Sequence, residues 1–179
     1  MTEPRAIRPY MPGYGVPDDL DGVLPWAWAL ERLARCRNYW LITASASSRP
    51  HALPVWGVWL DTRPEFVFSC AASSRKSRDM RENPQVCVTV DDTVECVSVE
   101  GHAARVFALD DRPELIDAYV DKYVDKNIDP SDTNGVDAAR RELADFVDRH
   151  ELWRVMPEHA IGIIERAEEF GARATKWVW

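Results

Sequence analysis

The run Ser73-Ser74-Arg75-Lys76-Ser77-Arg78, followed by Asn83-Pro84, places three cations where a helix normally carries anions. Ser73 or Ser74 is a suitable N-cap, and Pro84 ends the helix about two turns later. A helix N-terminus presents unpaired N–H groups and partial positive charge, so Arg75, Lys76 and Arg78 in the first turn are unfavourable unless an anion bridges them. A bound phosphate would turn that cost into a gain. A solvated basic turn fits the same spacing and is the competing reading.

Other side chains offer less. His51 follows the turn Ser47-Ser48-Arg49-Pro50 and opens an apolar strand, where it could donate a proton or a hydrogen bond to a ligand or simply face solvent. It is the single catalytic candidate. His102, His150 and His159 show no i, i+4 pairing and no supporting carboxylate spacing, so no metal or haem centre is expected. Cys36, Cys70, Cys87 and Cys96 contain no C-x-x-C pair, and the last three fall in apparent strands, where a free thiol behaves as a small apolar group. Asp91-Asp92 and Asp110-Asp111 are turn and cap chemistry, because adjacent side chains do not converge on one substrate.

With 22 basic and 30 acidic residues the net charge is -8, which opposes general nucleic-acid binding. A basic turn on an acidic chain points instead to a small anionic ligand. The 179 residues and 46% hydrophobic content suit one domain with a proper core. No run of 18 apolar residues and no apolar N-terminal segment occurs, so neither membrane insertion nor secretion is expected and a cytoplasmic location follows.

Holding the basic turn in place requires a framework, and the pattern predicts one rich in strands. Residues 1–24, with Pro, Gly and Asp but no periodicity, read as an extended N-terminal arm. From Pro25 to Arg37, Trp26, Leu30, Leu33 and Ala34 recur at helical spacing. Tyr39 to Ala46 and His51 to Leu60 form a hairpin, Glu65 to Cys70 is a third strand, and Val86 to Val90 with Val94 to Phe107 form a second hairpin. Gly101 inside that long strand marks a bulge or a close backbone approach. Leu115, Ile116, Tyr119, Val120, Tyr123 and Val124 predict an amphipathic helix from near Pro113. Ala139, Leu143, Phe146 and Val147 predict another, ending near His150, and Leu152 to Glu165 is a sixth strand. The expected fold is mainly β with flanking helices (α+β): a six-stranded antiparallel barrel over residues 25–179, with a helical insertion around 112–149.

Asn38-Tyr39-Trp40-Leu41-Ile42-Thr43, Arg49-Pro50-His51, Pro54-Val55-Trp56-Gly57-Val58-Trp59, Ser74-Arg75-Lys76 with Asn83-Pro84, Val99-Glu100-Gly101 and Thr175-Lys176-Trp177 occur in this order. Together they resemble the pyridoxamine 5'-phosphate oxidase-like, flavin/deazaflavin-dependent oxidoreductases of the split β-barrel type. The resemblance implies a homodimer with a cofactor in each of two interface clefts. It places Ser74, Arg75 and Lys76 on the cofactor phosphate and sets Pro54, Val55, Trp56 and Gly57 against the tricyclic ring through their backbone. Gly57 would permit close approach. Lys176 and Trp177 would complete the second face of the site, the terminal aromatic reaching the partner subunit's cofactor.

Departures from the family's pattern narrow the reading. Leu53 and Val58 stand near the places of an arginine and a lysine that contact FMN phosphate, Cys96 replaces an expected glutamine, and Thr175-Lys176-Trp177 replaces a terminal Arg-Leu-x-Pro. The resemblance then implies something other than a vitamin B6 oxidase, nearer the branch that often uses coenzyme F-420, with FMN or F-420 as cofactor. The expected function is hydride transfer to or from a small organic substrate at the interface cleft, with Trp56, Trp59, Trp177 and Trp179 suited to line the ring face. The alternative is a non-catalytic flavin-, deazaflavin- or haem-binding protein on the same barrel.

Overall fold

Short runs of alternating burial build the sheet. Leu41 and Thr43, Val86 and Val88, Val97 and Val99 are buried while the residues between them are not, so one face of each strand turns inward. The computed structural model describes residues 3–60, 63–107, 113–123 and 133–179. In chain order the elements are β1 (Arg5–Ile7), α1 (Trp26–Arg35), β2 (Tyr39–Ala44), β3 (Pro50–Val55), β4 (Gly57–Leu60), β5 (Glu65–Cys70), α2 (Arg75–Glu82) and β6 (Gln85–Thr89). They continue with β7 (Glu95–Val106), α3 (Pro113–Tyr123), α4 (Thr133–Asp148), β8 (Glu151–Ile164), α5 (Phe170–Arg173) and β9 (Thr175–Val178).

Antiparallel pairings run β3–β2–β6–β7–β8–β5–β4, and β3 continues into β4 through Trp56, which closes the ring. The expected second strand is thus two short ones joined by a kink. Pro54 has no N–H to give a ladder, and β3 lies at the end of its strand order, where proline is tolerated. Gly101 is the expected bulge: the β7–β8 register shifts between Glu100 and Gly101, and a Cβ there would sit 2.0 Å from the Met156 carbonyl oxygen.

Two strands were not expected from the pattern. The N-terminal arm contributes β1, which pairs with β9, itself paired with β8. Arg8 fastens the arm: its guanidinium donates to the carbonyls of Asp19, Asp21, Ala172 and Ala174 at 2.6–3.0 Å. Strands of three and four residues leave too little alternation to read, which is why both escaped the sequence argument.

The barrel core contains Leu33, Tyr39, Phe66, Phe68, Val88, Val99 and Val155, with Trp26 of α1 sealing one end. A second, smaller core forms where α3 covers β4 and β5, from Leu115 and Tyr119 against Val58, Leu60, Val67 and Leu152. Asp110, Asp111, Val124 and the stretch from Asp129 to Asp132 lie outside the described residues, as do the side chains of Ala139, Leu143 and Val147. Among the described residues no helix is long and apolar enough to cross a membrane.

Candidate functional site

Ser74 caps α2 by accepting from the Ser77 N–H at 3.3 Å, and the first turn contains no acid. What holds this cationic turn is a buried polar network behind it. Thr43 donates to Asp79 at 2.9 Å, and the Arg75 guanidinium lies 3.6 Å from the same carboxylate. Glu151, at the start of β8, accepts from Ser77 and Arg81 and lies 3.2 Å from Arg105. Burial pushes the Glu151 carboxyl up, but the hydrogen bonds from Ser77 and Arg81 and the charges of both arginines outweigh it, so the group is held below the usual glutamate value.

A cleft of about 320 Å³ opens beside this turn. Ser74 and Lys76 form one end, Pro54, Val55 and Trp56 one wall, and Ser69, Cys70 and Ala71 the floor. Tyr119 and Tyr123 of α3 also line it, with Phe146 near the end of α4 and His150 just beyond. Trp56 stacks on Tyr123 with ring centroids 5.5 Å apart. The Tyr123 hydroxyl accepts from the Gly57 N–H at 2.8 Å and can donate its one proton to the carbonyl of Gly57 or of Arg37. Burial raises its pKa to about 12, so it stays protonated. The imidazole of His150 is 2.7 Å from the Phe146 carbonyl through Nδ1, and burial raises the Cys70 thiol.

The structure therefore gathers Pro54, Val55, Trp56, Ser74 and Lys76 around one cleft. It separates the others. Arg75 turns back to Asp79, so Lys76 is the cation that faces the cleft. Gly57 is set apart from the cleft lining: its missing Cβ would lie 2.2 Å from the Phe66 ring and its backbone groups are engaged by Tyr123, so the glycine makes room for the protein's own core. Trp177 is set apart as well. It is fully buried in the barrel core, edge-on to Trp26 at 5.3 Å, because alternation along β9 points it inward. Lys176, on the other face of β9 opposite Ile7 and Ile161, does not line the cleft, and neither does His51, opposite Thr43 at the turn end of β3.

Sequence reasoning missed the aromatic wall. Tyr119 and Tyr123 were legible as one helix face, but nothing local said which face met a ligand and which the core. The histidines grouped in sequence part in space: His102 pairs with Glu158 at 2.8 Å, His159 with Glu100 at 2.9 Å, and His150 stands in the cleft. Among the described residues no three His, Cys, Asp or Glu side chains are placed to hold a metal ion.

The family model described as pyridoxamine 5'-phosphate oxidase matches residues 29–155, from α1 into β8. The chain belongs to that family. Solved structures share the fold at low identity. A conserved hypothetical protein of Mycobacterium tuberculosis is 19% identical, with a TM-score of 0.65 over 84% of this chain and 91% of its own. PhzG of Burkholderia lata, in complex with tetrahydrophenazine-1-carboxylic acid, is 17% identical, with 0.52 over 91% and 89%. HutZ, the haem storage protein of Vibrio cholerae, is 16% identical, with 0.51 over 72% and 86%. No curated protein is significantly similar to the chain.

Proposed function

We propose that this protein is an oxidoreductase dependent on FMN or coenzyme F-420, transferring hydride to or from a small organic substrate in the cleft between α2 and the β3–β4 kink. One observation carries the reading: the cationic turn of α2 and a strand with a free edge line the same cleft. Ser74 and Lys76 supply an N-terminal helix turn with no acid in it, and Lys76 has no carboxylate partner among the described residues. Pro54 and Val55 end a strand paired on one side only, and Trp56 follows at the kink, so the outer edge there can hydrogen-bond ring heteroatoms. These residues fit a phosphate at one end and a flat ring at the other.

When bound, such a cofactor supplies hydride acceptance and donation at its central ring. The chain's own residues grip phosphate, orient the ring and keep water away. Trp56 and Tyr123 offer a flat aromatic surface, and Tyr123, a neutral phenol, can hold a hydrogen bond without a charge.

A second copy of the chain is part of this proposal. At about 320 Å³ the cleft sits at the low end of the ~300–1,000 Å³ range of small-molecule sites, and it is open. Trp56, which lines it, is 57% exposed, and Trp40 and Leu53 on the adjoining β2 and β3 are 44% and 42% exposed, large apolar side chains along one sheet edge. A homodimer that packs there would cover these side chains and complete the site. Light scattering should then report twice the chain mass.

Absorption and fluorescence titration with FMN and, separately, with F-420 tests the cofactor assignment. Binding of one, weakened about tenfold or more in Lys76→Ala, is the expected result, the loss of one charge-assisted contact. Binding of neither overturns it. The competing reading, a protein that holds a chromophore without turnover, has the cleft histidine His150 and the haem storage neighbour in its favour. Steady oxidation of the reduced cofactor coupled to a second substrate separates the two.

A further inference from the structure

α3 faces two cavities. Tyr119 and Tyr123 line the cleft, whereas Ala118, Asp121 and Lys122 line a second hollow of about 470 Å³ against the end of α1 and β4. Its floor is apolar, from Trp59, Val58 and Ala118, and its rim carries Arg35 and Arg37. Among its charged lining residues three are cationic and Asp121 alone is anionic. Glu31 approaches Arg35 at 3.9 Å, while Arg37 packs over the Tyr123 ring at 5.7 Å.

Lys122 is the unusual member. Its ammonium donates to the Tyr39 hydroxyl, which in turn donates to the buried Leu33 carbonyl, and it sits 4.3 Å from the centre of the Tyr39 ring. No carboxylate lies within 4.0 Å of it among the described residues, and a lysine ammonium has three donors, of which Tyr39 takes one. The other groups around it are the neutral thiol of Cys36, with Asp91 behind at 3.3 Å, the phenol of Tyr123, and Asp121 and the two arginines that line the same hollow. Burial lowers its pKa to about 8. A cation half-sunk in an apolar hollow, with no counter-charge among the described residues, is costly unless a ligand supplies one.

We propose that this hollow is a second ligand site, for a small organic carboxylate with an apolar body. The carboxylate lies between Lys122 and Arg37, in reach of the free lysine donors, and the body lies on Trp59, Val58 and Ala118. This site is separate from the cofactor reading and stands if that reading fails. Binding there consolidates the charge on Lys122, so affinity falls as pH rises through its free value.

Benzoate is the probe, with benzyl alcohol as its uncharged counterpart, on the full-length protein carrying ¹³C at the lysine Cε. The chain has four lysines, Lys76, Lys122, Lys126 and Lys176, which keeps the spectrum assignable. The expected result is a saturable shift of the Lys122 signal with benzoate and none with benzyl alcohol, with affinity falling about tenfold between pH 7 and pH 10, one unit of pKa linkage. Lys122→Met should weaken benzoate about tenfold or more, and Lys122→Arg should retain binding while losing that pH dependence. Arg37→Met, at an exposed position, should weaken it too and guards against a misfolded Lys122 variant. An unmoved Lys122 signal, an equal response of Lys76 and Lys122 that marks general ion screening, or parent-like affinity in Lys122→Met each overturns the proposal.

Discussion

At the cationic end of the cleft, α2 is tied to the barrel by buried polar groups: Thr43 bonds Asp79, Ser77 bonds Glu151, and all four are nearly inaccessible. At the other end the same cleft is lined by aromatic side chains of α3 and α4; α3 packs through Leu115 and Tyr119 into the smaller core, and its tyrosine hydroxyls hydrogen-bond the backbone at Val67 and Gly57. The first arrangement fixes direction, because each hydrogen bond has one geometry. The second rests more on apolar packing, which tolerates small rotations, with only the tyrosine hydroxyls fixed in direction. An anion site needs aimed donors before the ligand arrives, whereas a flat ring needs only a surface to slide against. The two ends should therefore fail in different ways.

The ring end should break most severely. Leu115 is fully buried in a core of six residues, so Leu115→Ala leaves a cavity that few neighbours can close, at a cost of about 3 kcal/mol. The urea midpoint should fall accordingly. On the proposed function, cofactor affinity should fall with it while inorganic phosphate still protects Lys76 from acylation as in the parent. Equal loss of both would mean that the two ends are one cooperative unit.

Breaking the phosphate end should cost less, about 2 kcal/mol, because Arg81 and Arg105 keep partial contact with water when Glu151→Gln removes their counter-charge. Here the pH dependence gives a sharper reading than the midpoint. Glu151 has a folded pKa below its unfolded value, so its contribution is present above the ordinary glutamate pKa of about 4.3 and is lost as pH falls through the folded value. The parent and the glutamine variant should differ at pH 7 and converge in acid. A difference that persists at low pH would assign the effect to packing rather than charge.

The same contrast explains what could be read in advance. α2 was legible because its signals are local: a serine cap, three cations and a proline within a dozen residues, and the structure places α2 at Arg75–Glu82 as the spacing predicts. The barrel strands were legible for the same reason, including the bulge at Gly101. The partners that hold α2 were not, because Thr43 and Glu151 lie 36 and 74 positions from Asp79 and Ser77 in the chain. The inward face of Trp177 was not legible either, since a terminal aromatic carries no flanking period long enough to show which face it takes, and β9 gains its direction only by pairing with β8. Gly57 was rightly singled out as a close approach, yet the partner proved to be Phe66.

The smallest effect is also the most selective. Ser74→Ala removes the one side-chain cap of α2, leaving the Ser77 N–H without its acceptor. A lost N-cap costs about 1 kcal/mol, and less where water can replace the hydroxyl, as it can at this half-buried position. Stability should thus shift by a fraction of the Leu115→Ala change. The N–H groups that the cap organises are the ones an anion would use, and their direction is set partly by the cap and partly by the Glu151 network behind it. If the network dominates, Ser74→Ala should lower the urea midpoint slightly and leave phosphate affinity within about threefold of the parent, a change under 1 kcal/mol. A tenfold loss of phosphate affinity with an unchanged midpoint would show instead that Ser74 contacts the anion directly, and the division between an aimed end and a sliding end would then rest on the serine rather than on the buried carboxylates.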